Sequence, residues 1–352
     1  AHGYGHGVRS CDILRVFSRL RPDVRVIVTT DLPTAFLQNR LAPGSVAFRP
    51  GAFDIGMVQK DAILVDVPAT LAKLEELAAR WDSLVESETR FIKEQKADLI
   101  VSDIPAIPIE AAKAAGIPAL ATSNFSWDWI YSPHAARDAR WKKFVNIFRD
   151  AYAQTDLLLR QPFHGDMSAF PRIEDLPVLA TPGRNRRDEI ARLAGCSPDK
   201  TWVLISFYAL NWDEAALDQT ETLTDYEFFT VKPLEWHRKN IHPIDREIVP
   251  FSDVLASSDV VICKPGFGIV SECVVNDKPM IYSDRADFIE YDVLVEAIEK
   301  YLRNVHLPSE KLYRGDLIEA LQALPAQPPP PQAIPAGGAD VAARRIAGFL
   351  PL

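Results

Sequence analysis

Cysteine is scarce: 4 residues in 352, at Cys11, Cys196, Cys263 and Cys273, with no two in a Cys-x-x-Cys pair. Neither a disulfide framework nor a zinc knuckle is suggested, and a reducing cytosol is the expected compartment. Basic residues are short as well, 39 Lys and Arg against 48 Asp and Glu, for a formal net charge of −9. That balance argues against nucleic acid as a partner. No apolar run approaches the roughly 20 residues needed to span a bilayer. No charged-then-apolar leader precedes Ala1, so nothing points to secretion. Asp-x-Asp, His-Glu-x-x-His and P-loop lysine motifs are all missing, which leaves metal-dependent chemistry without a signal and no cofactor expected. There is no short-period repeat, and the sequence says nothing of oligomeric state.

What is present is the composition of a soluble globular protein, 47% apolar and 25% charged, at a length that favours two domains. Short apolar runs alternate with helical spacings along both halves. In the first half, strands are expected at Val24–Val28, Asp98–Asp103, Pro118–Ala121 and Asp156–Leu159, and helices at Val8–Leu20, Thr34–Leu41, Ile109–Ala115 and Lys142–Ala153. One long amphipathic helix is expected over Ala69–Lys96, with Leu71, Leu74, Leu77, Trp81 and Leu84 on one face. A proline-punctuated linker follows. In the second half, strands are expected at Trp202–Phe207, Glu227–Val231, Glu247–Val249, Val260–Ile262 and Pro279–Tyr282. Pro328-Pro-Pro-Pro331 marks a stiff connector before a last helix, Gly337–Leu350. The predicted division is a domain over 1–165, a linker over 166–182, a second domain over 183–324, and a connector with terminal helix over 325–352. The fold class is α/β, with two doubly wound parallel sheets facing a cleft. The opening Ala1-His-Gly-Tyr-Gly-His-Gly7 has the composition of a loop that follows a strand, so a first strand is expected upstream of it.

The most informative stretch is Asp259-Val-Val-Ile-Cys-Lys-Pro-Gly-Phe-Gly-Ile-Val-Ser-Glu272. A buried strand breaks at Lys264-Pro-Gly-Phe-Gly268, and a helix begins. Unpaired N–H groups and the helix dipole make such a junction an anion site, and Gly266 and Gly268 let a ligand approach the backbone. Any parallel sheet has ordinary turns of this kind, and the Gly-x-Gly alone does not decide. Ser271 and Glu272 lie one turn in, where a hydroxyl can meet a phosphate and a carboxylate can accept from a sugar. Lys264 is placed to neutralise a diphosphate.

Other strand ends carry further candidates. His6, with Tyr4 beside it, sits among glycines at a helix start, where an imidazole could act as general base or simply cap the turn. Asp103 and Asp128 could each orient that imidazole, although Asp103 could equally cap the next helix. Trp127, Trp129 and Tyr131 could stack on an acceptor or belong to the core. Of Arg184, Arg186 and Arg187, one at most is expected to clamp phosphate, the rest being a solvated face. Asp284, Asp287, Glu290 and Tyr291 suit sugar hydroxyls, or plain solvation.

Two Rossmann-like halves, a Gly-Tyr-Gly-His loop and the 259–272 stretch resemble the GT-B glycosyltransferases. The chain looks like the glycosyltransferase-like part of plant L-arabinokinases and its stand-alone bacterial relatives, through Gly56-Met-Val-Gln-Lys-Asp61, Asp98–Asp103, Thr122–Asp128 and the Gly337–Ala343 helix. Their sugar-kinase part has no counterpart here. The chain is similar, more distantly, to the N-acetylglucosaminyltransferase that completes lipid II. That resemblance implies donor diphosphate at Gly266, Phe267 and Gly268, with Ser271 beside it, ribose at Glu272, and a phosphate contact from Arg184. Likeness to a nucleotide-sugar hydrolase of pseudaminic acid synthesis, whose histidine activates water, implies such a role for His6. Where relatives carry Gly-Gly after the first strand of the second domain, this chain has the bulky Phe207-Tyr-Ala-Leu-Asn-Trp212. The resemblance implies a glycosyltransferase that uses a nucleotide-diphospho-sugar and a hydroxyl acceptor, with a terminal helix that could cross back. The missing Asp-x-Asp makes it metal-independent, the cysteine usage cytoplasmic, and a histidine base with no obvious nucleophile favours inversion. A nucleotide-sugar hydrolase and a non-catalytic nucleotide-sugar-binding protein are the alternatives.

Overall fold

Short β-branched runs separated by amphipathic helices can cover both faces of a sheet only when the strands run parallel. Every pair of named strands in this chain does so. The computed structural model describes residues 3–60, 64–207, 209–285 and 288–351. The chain divides into unit 1, Ala1–Val58, Asp66–Ala180 and Pro335–Leu352, and unit 2, Gln59–Val65 and Thr181–Ile334.

Unit 1 contains, in order, α1 (Tyr4–Leu20), β1 (Ile27–Thr30), α2 (Thr34–Gln38), β2 (Ala47–Pro50), α3 (Val67–Ala79), α4 (Trp81–Gln95), β3 (Ile100–Ser102), α5 (Ile107–Ala115), β4 (Ala119–Ser123), α6 (Trp127–Arg137), α7 (Arg140–Tyr152), β5 (Leu157–Arg160) and β6 (Ile173–Asp175). β1 and β2 form one sheet, and β3, β4, β5 and β6 form a second in that order. The edges of β1 and β3 border a cavity of about 670 Å³, which also takes in His6, Ser10 and Asp103.

Three expectations are corrected in unit 1. The long helix is broken at Arg80 (φ −108°, ψ 0°), after which α4 starts afresh. Both helices bury apolar residues, Leu71 and Leu74 from α3 and Trp81 and Ile92 from α4, so the stripe in the sequence runs on across the break. The aromatics expected at a strand end are helical, because Trp127 opens α6 and Tyr131 lies inside it. The expected linker holds β6, whose Ile173 pairs with Leu158 of β5.

Unit 2 contains α8 (Arg187–Ala194), β7 (Thr201–Ser206), α9 (Glu214–Glu221), β8 (Tyr226–Val231), β9 (Ile241–Ile244), α10 (Phe251–Ser257), β10 (Val260–Cys263), α11 (Phe267–Val275), β11 (Met280–Ser283), α12 (Glu290–Tyr301), β12 (Asn304–Leu307), α13 (Ser309–Tyr313) and α14 (Ile318–Ala323). They build one sheet in the order β12-β11-β10-β7-β8-β9. The order reverses between β7 and β10, and ligands of doubly wound sheets bind outside the strand C-termini at such a reversal. The third strand lies at 241–244 instead of 247–249. Pro243 obscured it, since proline removes a ladder hydrogen bond, but β9 is an edge strand, where that loss is tolerated.

Phe207, Leu210 and Trp212 do not project outward. All three join the apolar core of unit 2, and the Trp212 indole donates to the Leu312 carbonyl at 2.7 Å. Tyr208 lies outside the described residues. The last helix, α15 (Gly338–Ala347), belongs to unit 1, where Ala342, Ala343 and Ile346 share a core cluster with Ile13 and Phe17 of α1. Among the described residues no helix is long and apolar enough to cross a membrane.

Candidate functional site

In unit 1 the polar centre is built on α1 and the end of β3. Gly3 caps α1 and its carbonyl accepts from the His6 backbone N–H at 3.1 Å, so His6 lies in the first helical turn. His6 and Arg9 are three residues apart and share a helix face. Asp103 follows β3 directly and receives both. His6 Nδ1 lies 3.0 Å from Asp103 Oδ1, Arg9 Nε donates to Oδ2 at 2.8 Å, and Ser10 Oγ donates to Oδ2 at 3.1 Å. Arg9 Nη2 also bonds Asp103 Oδ1, and Nη1 donates to Asn124 Oδ1 at 2.9 Å. Burial works against an ionised Asp103. The Arg9 guanidinium and His6 outweigh it and hold the carboxyl well below the usual carboxylate range. An imidazole whose Nδ1 faces a carboxylate can present Nε2 as a base. Asp103 Oδ1 favours a proton on Nδ1, whereas Arg9 Nη2, a donor only and 2.9 Å from the same Nδ1, favours one on Nε2; the first tautomer is the one that leaves Nε2 a base.

Asp128 does not join this group. It is buried at the start of α6, with Arg149 Nε 3.8 Å away, and burial pushes its carboxyl up. Trp127 and Tyr131 are core residues, stacked at 5.4 Å between ring centroids. The Trp127 indole donates to Asp54 Oδ2 at 3.1 Å and the Tyr131 hydroxyl to the Gly56 carbonyl at 3.3 Å, so neither ring is offered to an acceptor. Tyr4 is exposed and meets Phe36 edge-on. Arg9, Ser10 and Asn124 were missed. The spacing from His6 to Arg9 would have shown the first of these, had α1 been read from Tyr4 instead of Val8.

In unit 2 the glycine turn stands where the sheet order reverses. β10 lies between β7 and β11, and Gly266, in extended conformation, caps α11. Gly268 is exposed; a Cβ there would meet nothing within 4 Å, and one on Gly266 would meet only Ile269 Cγ2 at 3.9 Å. Lys264, Phe267 and Glu272 are half-buried around this opening, while Ser271 is buried with Val270 and Cys273.

The backbone of Arg184 is anchored away from this turn. Its backbone N–H donates to Asp253 Oδ1 at 2.8 Å, and that of Gly183 donates to Asn276, the C-terminal cap of α11, at 3.0 Å. The segment is thus tied to the far end of a helix whose 9 residues extend about 13 Å. Arg186 is held by Glu189 and Asp253, and Arg187 by Asp259 and the Trp202 ring. Asp284 bonds His306 and the Ser309 backbone. Asp287 lies outside the described residues. Glu290 is buried at the head of α12, its Oε2 4.0 Å from Arg285 Nη1. Arg285 itself was missed; its side chain is 11% exposed, and Nη1 donates to the Pro265 carbonyl at 3.4 Å. Burial pushes its guanidinium down to about 10, against the pull of Glu290, so it remains charged at neutral pH.

Among the described residues one group could hold a metal ion, namely Cys196, Glu227 and His242. Glu227 already lies 2.7 Å from His242 Nε2 and 2.9 Å from Lys200 Nζ. It is the second residue of β8, at the edge of the sheet opposite the glycine turn.

No protein-family model matches the chain. In sequence it is 28% identical over 321 residues to the L-arabinokinase of Arabidopsis thaliana, a match that covers 89% of this chain and 30% of that protein. The chain thus spans less than a third of that relative. It is 24% identical over 300 residues to an uncharacterized glycosyltransferase of Methanopyrus kandleri, covering 81% of this chain and 85% of the other. Among solved structures, the glycotransferase of kitacinnamycin aligns with a TM-score of 0.62 at 16% identity, over 99% of this chain and 97% of its own. UGT89C1 of Arabidopsis thaliana, complexed with UDP, aligns with a TM-score of 0.59 at 14% identity, over 97% and 96%. UGT89C1 is also known complexed with quercetin and with UDP-L-rhamnose.

Proposed function

We propose that this chain, a homologue of glycosyltransferases with the GT-B fold, moves a sugar from a nucleotide-diphospho-sugar to an acceptor hydroxyl. The observation that carries the reading is the open backbone at Gly266 and Gly268, at the head of α11 and at the point where the sheet order reverses. Helix N-termini of this kind favour phosphate, because unpaired N–H groups and the dipole both point at the ligand. That UGT89C1 is known with UDP and UDP-L-rhamnose supports a nucleotide-linked donor class.

In this reading His6 is the general base, oriented by Asp103, and takes the proton of the acceptor hydroxyl as its oxygen attacks the anomeric carbon. The bond to the diphosphate breaks, and its negative charge is met by peptide N–H groups at Gly266–Gly268 and by Lys264. A hydroxyl activated by a base attacks opposite the leaving group, which gives inversion. The scheme requires no divalent ion.

The test is a thermal-shift screen against nucleotide-sugars, followed by an assay for free nucleoside diphosphate with and without acceptors. Ligand at a hundredfold above Kd stabilises the fold by about 2.7 kcal/mol, which is readily seen. Release that depends on an acceptor supports transfer, and equal release in its absence shows a hydrolase. Binding without release shows a nucleotide-sugar-binding protein, and no binding of any nucleotide-sugar overturns the reading. His6→Ala is expected to abolish turnover while leaving nucleotide binding intact.

A further inference from the structure

Arg285 is a buried cation with little to hold it. Its side chain is 11% exposed, and among the described residues its buried Nε has no hydrogen-bond partner and its one hydrogen bond is the 3.4 Å contact from Nη1 to Pro265. Glu290 Oε2, at 4.0 Å, is beyond hydrogen-bond reach, and the guanidinium carbon stands 3.1 Å from the centre of the Phe288 ring. A guanidinium has five N–H donors, and taking it out of water without partners costs several kcal/mol. The Phe288 face offsets part of that cost and fixes the plane of the fork.

The direction of the fork is informative. Pro265 immediately precedes Gly266, so the Nη1 contact pins Arg285 beside the N-terminus of α11. Two independent features then converge on one point: a helix start with open backbone, and a buried guanidinium with an unpaired N–H. Each is suited to the same chemistry, a multiply charged oxyanion. A planar fork grips phosphate oxygens in a way that a lysine cannot.

We infer that Arg285 completes the anion site at the head of α11 and donates to a phosphate oxygen of the donor diphosphate, the role that the sequence resemblance gave to Arg184. The inference rests on the nucleotide-sugar reading above. The Nη N–H groups not used on Pro265 are the donors that a bound diphosphate would meet, and the Pro265 and Phe288 contacts set the plane of the fork before the ligand arrives.

The experiment is calorimetric titration of the whole chain with a nucleoside diphosphate, the parent nucleoside and inorganic pyrophosphate, for wild type, Arg285→Met and Arg285→Lys. Removing a charge-assisted hydrogen bond is expected to weaken diphosphate and pyrophosphate about tenfold to a hundredfold, with nucleoside affinity unchanged. Arg285→Lys keeps the charge and loses the fork, and is expected to weaken diphosphate at least several-fold; it decides the matter should Arg285→Met fail to fold. Wild type that binds diphosphate, with a folded variant that binds it equally well, overturns the role of Arg285 alone. Equal weakening of nucleoside and diphosphate also overturns it, since that pattern reports a distorted turn. Wild type that binds neither nucleoside diphosphate nor pyrophosphate overturns the inference and the donor site together.

Discussion

Replacing Asp103 by asparagine should cost unit 1 a large share of its stability, independently of any effect on turnover. The carboxylate accepts from Arg9 Nε at 2.8 Å and Ser10 at 3.1 Å on one oxygen, and meets Arg9 Nη2 and His6 on the other. The Arg9 and Asp103 side chains are 11% and 10% exposed, so water replaces little of what is lost. An amide of the same shape offers one oxygen and turns an N–H₂ toward the other pair of donors, leaving Arg9 buried beside a neutral group. Breaking a buried ion pair in this way costs about 3–5 kcal/mol. The measurement is urea unfolding at pH 7, followed by circular dichroism and by hydrogen exchange of the α1 and β3 amides. The pH dependence carries a sign. Because the folded state holds the Asp103 carboxyl below its ordinary value, its contribution is complete above about pH 4 and is lost as the pH falls further. The gap between wild type and Asp103→Asn should therefore not narrow between pH 7 and pH 5. A gap below about 1 kcal/mol at pH 7, or one that closes by pH 5, would refute the account.

Three other outcomes are expected. Gly268→Ala adds a methyl group to open space in the first turn of a helix, so thermal melting should show equal or slightly higher stability, by up to about 1 kcal/mol, while calorimetry shows weakened nucleotide binding. Trp127→Ala should lower unfolding free energy by about 3–5 kcal/mol, as loss of a core aromatic does. Full stability with only a raised acceptor KM would instead restore the stacking role. Gly338→Ala would set a Cβ 2.3 Å from the Pro177 carbonyl oxygen, and a loss of about 1–3 kcal/mol in chemical denaturation is the expected reading.

The readable parts of the sequence were those where local chemistry and packing agree. Val260-Val-Ile262 followed by Gly266 and Gly268 can hardly be other than strand, turn and helix, and the structure sets them so. Gly116 ends α5 in the left-handed region, as a glycine after an alanine-rich helix should. The failures come from information that periodicity does not carry. An apolar stripe has no view of the backbone angles at Arg80. The bulk of Phe207, Leu210 and Trp212 is visible in sequence and its direction is not; long-range packing turned them into the core. At the site, His6 and Asp103 are 97 residues apart, yet both were legible as strand-end residues. Asp128 was equally eligible on that ground, and only tertiary placement separates the two. Arg285 left no mark, because an arginine among Asp284, Asp287 and Glu290 looks like ordinary surface charge until its burial is known.

The helix that carries the histidine is braced by the last residues of the chain. Ile13 and Phe17, two to three turns beyond His6, rest on Ala342, Ala343 and Ile346, so the end of α1 that bears His6 is levered by a surface made more than 300 positions later. Trimming or tagging the carboxyl end therefore acts on the amino end. A protein shortened there should retain a folded unit 2 yet hold its imidazole slackly, as an axle does when one bearing is removed.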